Sequence, residues 1–285
     1  LPALLDVPIV KSGGQEGVVP AGTGPYFYAE EETGAYLIAN QSWWRGESQP
    51  LERIALVEAA DGSALLYRFS SHEVQLITAD LTGVTTVSTT GSVGCIDAET
   101  TVLQYVGCNT ARAPLDSPAL RRALSAGIDR DNVVGAYLSG HGKATAFPVS
   151  PVSPLYPVAL EESYSVDNFA SALARSGYVS QEPLTLLVNE ENGFKKAIAQ
   201  YLAESWTAGG LAVEVRVLPW EEYTAALAAG DFDLYYGETR LSADWDLGSL
   251  LEPGGGVNYG HWSNPDSSRL LAELAGAGDR TAAMR

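Results

Sequence analysis

The chain reads as an α/β protein. Three observations carry that reading: a β-α-β-α-β alternation between Leu184 and Leu234, a series of short strands and turns over the first hundred residues, and the lack of any apolar run near the ~20 residues of a membrane helix.

The early part is strand-like. Tyr26-Phe27-Tyr28 and Tyr36 to Ala39 are β-prone runs separated by the Glu30 to Gly34 turn, which predicts a hairpin. Leu51 to Val57 alternates apolar and polar residues, as a half-buried strand does. Gly62 to Ser71 is expected to be a helix with Leu65, Leu66 and Phe69 on one side, and Val74 to Ile77 a further strand. Thr100 to Val106 is β-branched and apolar, and reads as a strand leaving this domain.

After residue 108 the pattern changes to helices alternating with strands. Ser117-Pro118 is an N-cap with proline at the first helical position, followed by the stripe Leu120, Ala123, Leu124, Gly127 and Ile128. Asp129 caps a second helix that Gly140 ends. A proline-rich loop spans Phe147 to Pro157, and Asp167 starts a helix that stops at Gly177. Leu184 to Val188 is a strand. Phe194, Ala197, Ile198, Tyr201, Leu202 and Trp206 mark the best helix, stopped by Gly209-Gly210. A clean alternation from Leu211 to Val217, a helix from Trp220 to Ala229 and a strand around Phe232 to Leu234 complete the run. Such a series implies right-handed crossovers and a largely parallel sheet with helices on its faces.

Composition narrows the function classes. Of 285 residues, 46% are apolar and 18% charged, which is ordinary for a globular protein. The net charge of −18 repels phosphate backbones and anionic lipid, so neither nucleic acid nor a membrane surface is an expected partner. Leu1 is not an initiator methionine and no signal segment opens the chain. The tail from Gly278 stops in what reads as the end of a helix, so the chain is expected to be a fragment of a longer parent.

No catalytic constellation or cofactor motif emerges. Gly22-Thr23-Gly24-Pro25 lacks G-x-G-x-x-G, Gly254-Gly255-Gly256 lacks the P-loop Lys and Ser/Thr, and neither G-x-S-x-G nor H-E-x-x-H occurs. Cys95 and Cys108 are too far apart for a zinc motif, and His72, His141 and His261 read as surface residues, so no metal is expected. Asp244 and Asp246 read as caps or a ligand anchor rather than a glycosidase pair. The candidate site is the segment from Arg240 to Tyr259, directly after the last parallel strand, where open α/β sheets bind ligands. It brings together Arg240, Asp244, Trp245, Asn258 and Tyr259.

Five segments form an ordered set of motifs. Gly22 to Tyr26 is similar to a G-T-G-P-Y turn, and Trp43 to Gly46 with Leu51 to Ile54 to a "Y-W-G … L-D-x-I" segment. Pro114 to Leu124, continuing to Ile128-Asp129-Arg130, resembles "P-F-x-D-x-x-V-R-x-A-L … A-I-D-R". Gly230 to Leu234 matches "G-D-F-D-L", and Asn264-Pro265-Asp266 looks like the "N-P-E" that opens a late helix. Taken in order, these segments resemble the family 5 solute-binding proteins of ABC importers, the group that captures peptides, dipeptides and nickel complexes.

The resemblance implies a two-lobed fold of the type II periplasmic-binding-protein class, as a fragment lacking the N-terminal part of lobe one and the C-terminal return. Residues 1–108 would be partial lobe one and 109–285 lobe two. It implies a non-enzymatic, monomeric binding component outside the cytoplasm, periplasmic or lipid-anchored. Such a protein encloses a small solute by hinge motion, foremost an oligopeptide or dipeptide, and delivers it to a membrane permease. A nickel-chelate binder and a ligand-sensing module of a regulatory protein stay open as alternatives. Ala243-Asp244-Trp245 looks like the family's A-D-Y, whose aspartate meets the ligand's α-ammonium. Trp245 would then be an apolar wall, Asn258 or Tyr259 polar contacts, and the strands near Asn109 the crossover. Leu241 departs from the tryptophan often found there. Export to an oxidising compartment permits a Cys95–Cys108 disulfide, which is the expected pairing.

Overall fold

The computed structural model describes residues 22–83, 92–161, 163–179 and 182–277; the tail from Gly278 lies outside them. The chain divides into two units, one holding the described residues up to Ala79 with Ser92 and Val93, the other those from Gly94 onward together with Asp80 to Gly83.

In the first unit β1 (Tyr26–Glu31), β2 (Gly34–Ala39) and β3 (Arg53–Leu56) form an antiparallel sheet in that order. Glu31 pairs with Gly34, so the expected hairpin closes through only Glu32 and Thr33. Arg53 lies 3.5 Å from the Tyr36 ring centroid and 2.8 Å from Glu31, an exposed cross-strand cluster that solvent screens. Helix α1 (Gly62–Ser70) starts where the Ala64 N–H donates to Asp61 Oδ1 at 2.8 Å. The expected strand at Val74 to Ile77 does not form. The Val74 N–H donates back to the Arg68 carbonyl, and Leu76 stays 84% exposed with no strand beside it.

The second unit is a four-stranded sheet with helices on both faces. Its strands β4 (Val102–Cys108), β5 (Leu184–Asn189), β6 (Val213–Leu218) and β7 (Leu234–Arg240) lie in the order β4-β7-β5-β6. β5 pairs parallel with both β6 and β7, as the alternation predicts, while β4 runs antiparallel along the whole of β7. β4, which the sequence places in the first lobe, therefore belongs to the second unit's sheet, and the division falls before it. Its pairing also explains why β7 starts two residues later than expected and runs on to Arg240: β4 offers a partner for every residue from Leu234.

One face of the sheet meets α2 (Pro118–Ala126), α3 (Arg130–Leu138), α4 (Val166–Ser176) and α5 (Gly193–Ala208); the other meets α6 (Trp220–Ala229). Leu120, Leu124, Phe169, Leu202 and Trp206 pack on Leu186, Val188 and Leu234. Each such side chain contributes roughly 1.5–3 kcal/mol by leaving water. Trp206 is fully buried and its Nε1–H donates to the Leu124 carbonyl at 3.0 Å, so its polar edge is satisfied. The capping expectations hold at Ser117 and Asp129, whose side chains accept from the N–H groups of Leu120 and Asn132. Helix α4 starts before Asp167 because Ser165 Oγ is the cap, accepting from Asn168. Beyond β7 come α7 (Gly248–Leu251) and α8 (Pro265–Gly276), the latter opened by Asn264 as the sequence predicts.

The β4–β7 pair is locked by two reciprocal contacts. Tyr105 stands opposite Gly237 and Tyr235 opposite Gly107, and each ring occupies the space a Cβ on the facing glycine would need. The two rings meet edge to face with centroids 5.8 Å apart and hydroxyls 3.3 Å apart. Burial pushes both hydroxyls' pKa values up, which keeps them neutral. Gly237→Ala should therefore destabilise the second unit by about 1–3 kcal/mol, read as a lower urea midpoint; an unchanged midpoint would show that the Tyr105 ring moves aside freely.

Candidate ligand-binding site

The carboxyl ends of β5 and β7 lie at one edge of the sheet, and that edge concentrates polar side chains. Leu234, Tyr236, Glu238 and Arg240 alternate toward the α5 face, the first two in the core and the last two exposed past its rim. Glu238 Oε2 accepts from Lys195 Nζ at 2.9 Å and from Gln104 Nε2 at 2.7 Å. Lys195 sits in the first turn of α5, the unfavourable end of the helix dipole for a cation, and the Glu238 carboxylate offsets that.

Beside them the β5–α5 turn is tightly bonded. Asn192 is buried; its Oδ1 accepts from the Lys195 N–H at 2.9 Å and its Nδ2 donates to the Thr82 carbonyl at 2.8 Å. Helix α6 has no cap from Pro219, and Glu191 supplies one instead: Oε1 accepts from the Trp220 N–H at 2.9 Å. That donor holds the Glu191 carboxyl below its ordinary range. Trp220 is 56% exposed and stacks on Tyr223, presenting an aromatic surface at this edge.

The turn after β7 carries Asp244. Leu241 is buried and stapled to Thr101: its N–H donates to the Thr101 carbonyl at 2.9 Å, and Thr101 Oγ1 donates to its carbonyl at 2.6 Å. The Trp245 N–H then donates to the Ser242 carbonyl, closing a turn around Ala243 and Asp244. Asp244 is half-buried, with Oδ1 shut off from solvent. Trp245 holds φ at 56°, left-handed backbone that costs a bulky residue about 1–3 kcal/mol. Asp246 Oδ1 accepts from the Gly248 N–H at 2.9 Å, a turn bond just before α7.

The structure splits the six expected site residues between two edges. Arg240, Asp244 and Trp245 stand at the carboxyl edge. Asn109 follows Cys108, which pairs with Leu234 at the other end of β7, about 20 Å away along the strand. There Asn109 Nδ2 donates to the carbonyls of Gly230 and Phe232, and the side chain is 3% exposed, which suits a latch. Tyr259 packs edge-on against Tyr235 at the same end. Asn258 is engaged within its own loop, donating to the carbonyls of Glu252 and Trp262 and accepting from the Trp262 N–H. Glu191, Lys195, Glu238 and Gln104, which the sequence reading did not single out, are also brought to the carboxyl edge. A lysine in the first turn of a helix was the one local signal.

The expected disulfide is absent: Cys95 and Cys108 are free thiols. An extended β4 carries Cys108 away from the segment before Val102 rather than back to it, and the Cys108 side chain packs on the core. Burial pushes that thiol up to about 11.

This mixed α/β fold is the one shared by solved structures of the two-lobed periplasmic-binding-protein class. The crystal structure of a nickel ABC transporter protein from Bacillus halodurans matches with a TM-score of 0.77 at 19% identity, covering 97% of this chain and 62% of that one. The model of the bacterial extracellular solute-binding proteins, family 5, middle region, matches residues 3–258, and the chain belongs to that family. Heme-binding protein A of Haemophilus influenzae is 22% identical over 90% of this chain and 49% of its own length. The oligopeptide-binding protein AppA of Bacillus subtilis is 22% identical over 92% and 52%. The chain thus spans about half the length of these relatives. The family consists of binding proteins, not enzymes.

Glu191 gives a pH test. Its pKa is lower in the folded state, so its contribution is complete above the unfolded glutamate value of 4.5 and fades as pH falls below that through the folded value. Glu191→Gln keeps an acceptor but loses the charge. Its urea midpoint should lie below the parent's at neutral pH and converge with it in acid; a gap that does not change with pH would show that the charge is irrelevant.

Proposed function

We propose that this protein is the substrate-binding component of an ABC importer, acting outside the cytoplasm in the periplasm or from a lipid anchor, and that its cargo is an oligopeptide or dipeptide. The observation that carries this reading is Asp244, a half-buried carboxylate beside the strained Trp245 at the carboxyl edge of parallel strands.

A peptide's α-ammonium is the cation such a group suits. Partial burial strengthens the charge-assisted hydrogen bond, and the net charge of −18 favours approach of a cation. Trp245 supplies an apolar wall and Trp220 a second aromatic surface. Arg240, exposed at the end of β7, is a partner for the peptide's carboxylate. The remaining affinity comes from backbone pairing and water-filled pockets that tolerate varied side chains. Delivery to a permease follows from the family's role. The cargoes named for relatives include heme, oligopeptides and di- or tripeptides, and the resemblance of Ala243-Asp244-Trp245 to A-D-Y favours the peptides.

Calorimetry with a pool of di- and tripeptides tests this. Asp244→Ala should lose about 2–5 kcal/mol of binding free energy while keeping the parent's thermal midpoint within a few degrees. An affinity unchanged within about 0.5 kcal/mol would remove Asp244 from the site.

A further inference from the structure

A second cluster of ligating side chains lies outside these residues. Cys95 and Asp97, two apart in an irregular segment leading into β4, meet His141, which follows the end of α3. His141 Nδ1 is 2.7 Å from Asp97 Oδ1, and Cys95 Sγ is 4.0 Å from that same oxygen. One donor atom from each of the three residues lies within 4.8 Å of the others.

We propose that Cys95, Asp97 and His141 bind one divalent cation of the zinc type, a site distinct in residues and chemistry from the cargo site. Thiolate, imidazole and carboxylate are the three donors zinc takes in proteins, and three protein ligands leave a fourth tetrahedral position to water. Ordinary zinc–ligand lengths put tetrahedral N···O and S···O edges at about 3.3 and 3.5 Å. The observed 2.7 and 4.0 Å straddle those values, and side-chain adjustments of the exposed residues would complete the site. The thiol reaches the same Asp97 oxygen as a weak S–H donor, and metal binding would replace that contact and the His–Asp pair with bonds to one ion.

A second contact holds the same two segments in register. Lys143 Nζ lies 3.3 Å from Glu99 Oε1, two residues on from His141 and two on from Asp97. This exposed pair joins the same two segments beside the three ligands. The Cys95 proton leaves to solvent as the metal–sulfur bond forms. The bound ion then ties the segment entering β4 to the one leaving α3. Cys108 is excluded as a competing ligand because its side chain packs on the core.

Titration of the reduced protein with Zn²⁺, followed by calorimetry, tests the site, with Co²⁺ as a spectroscopic substitute. The expected result is one ion per chain and a sulfur-to-cobalt charge-transfer band. Cys95→Ser and His141→Ala should each weaken Zn²⁺ binding by at least about 10-fold, and the first should abolish the band. Cys108→Ser and Asp244→Ala should bind as the parent does. All four residues are changed one at a time, and circular dichroism confirms folding; the three ligands are exposed, so their loss leaves the core intact. Zn²⁺ should also protect Cys95 from alkylation. Absence of binding, or binding indifferent to both Cys95→Ser and His141→Ala, would overturn the proposal. Zn²⁺ binding lost only in Asp244→Ala would place the metal among the cargo and overturn it too. Loss of peptide binding in Asp244→Ala with Zn²⁺ binding intact keeps the two readings separate.

Discussion

The seven-residue antiparallel register of β4 on β7 fixes which residues can act together in the second unit. Through it Val102 stands opposite Arg240 and Cys108 opposite Leu234, so the segment before β4 arrives at the carboxyl edge of β7 and the segment after it leaves from the amino edge. The Thr101–Leu241 staple is a direct result, and it sets where the Asp244 turn begins. The register is specified by bulk as well as by hydrogen bonds. Tyrosine faces glycine at both Tyr105–Gly237 and Tyr235–Gly107, and a slip of one residue would set ring against ring and turn every side chain to the wrong face.

The two edges do different work. At the amino edge of β7, Asn109, Asp233 and Tyr259 are tied into backbone and core: the Asn109 N–H donates to the Asp233 carbonyl, Asp233 Oδ2 accepts from the Thr185 N–H, and Tyr259 rests on Tyr235. These contacts hold strands and loops in place. At the carboxyl edge the polar groups are only half covered, and aromatic residues stand beside them. Trp245 is held in backbone that a tryptophan rarely adopts.

Much of this was legible in the sequence because it is local. The β-α-β-α-β series follows from periodicity, and the helix starts at Ser117, Asp129 and Asn264 follow from hydrogen-bond chemistry within a few residues. The family motifs supplied the fold and pointed to Asp244 and Trp245. Contacts between distant residues were not legible. Nothing near Thr100 says that the strand will run against β7, so β4 was assigned to the wrong side of a boundary, and the disulfide rested on a chain reversal that an extended strand cannot make. Asn109 and Asn258 were polar residues in suggestive places, yet their amides are engaged by carbonyls that only the folded chain brings near. The grouping of Cys95 with His141 is of the same kind, since the two are forty-six positions apart.

Membership of the family 5 solute-binding proteins sets the class, and the proposed function puts the ligand at the carboxyl edge of the second unit's sheet. Hydrogen–deuterium exchange with and without a pool of di- and tripeptides probes that placement residue by residue. New protection is predicted over Asn189 to Asn192 and Arg240 to Trp245, with Asn109 and Asn258-Tyr259 unchanged. Protection confined to Asn109 and Asn258-Tyr259, with the carboxyl edge exchanging as before, would contradict it.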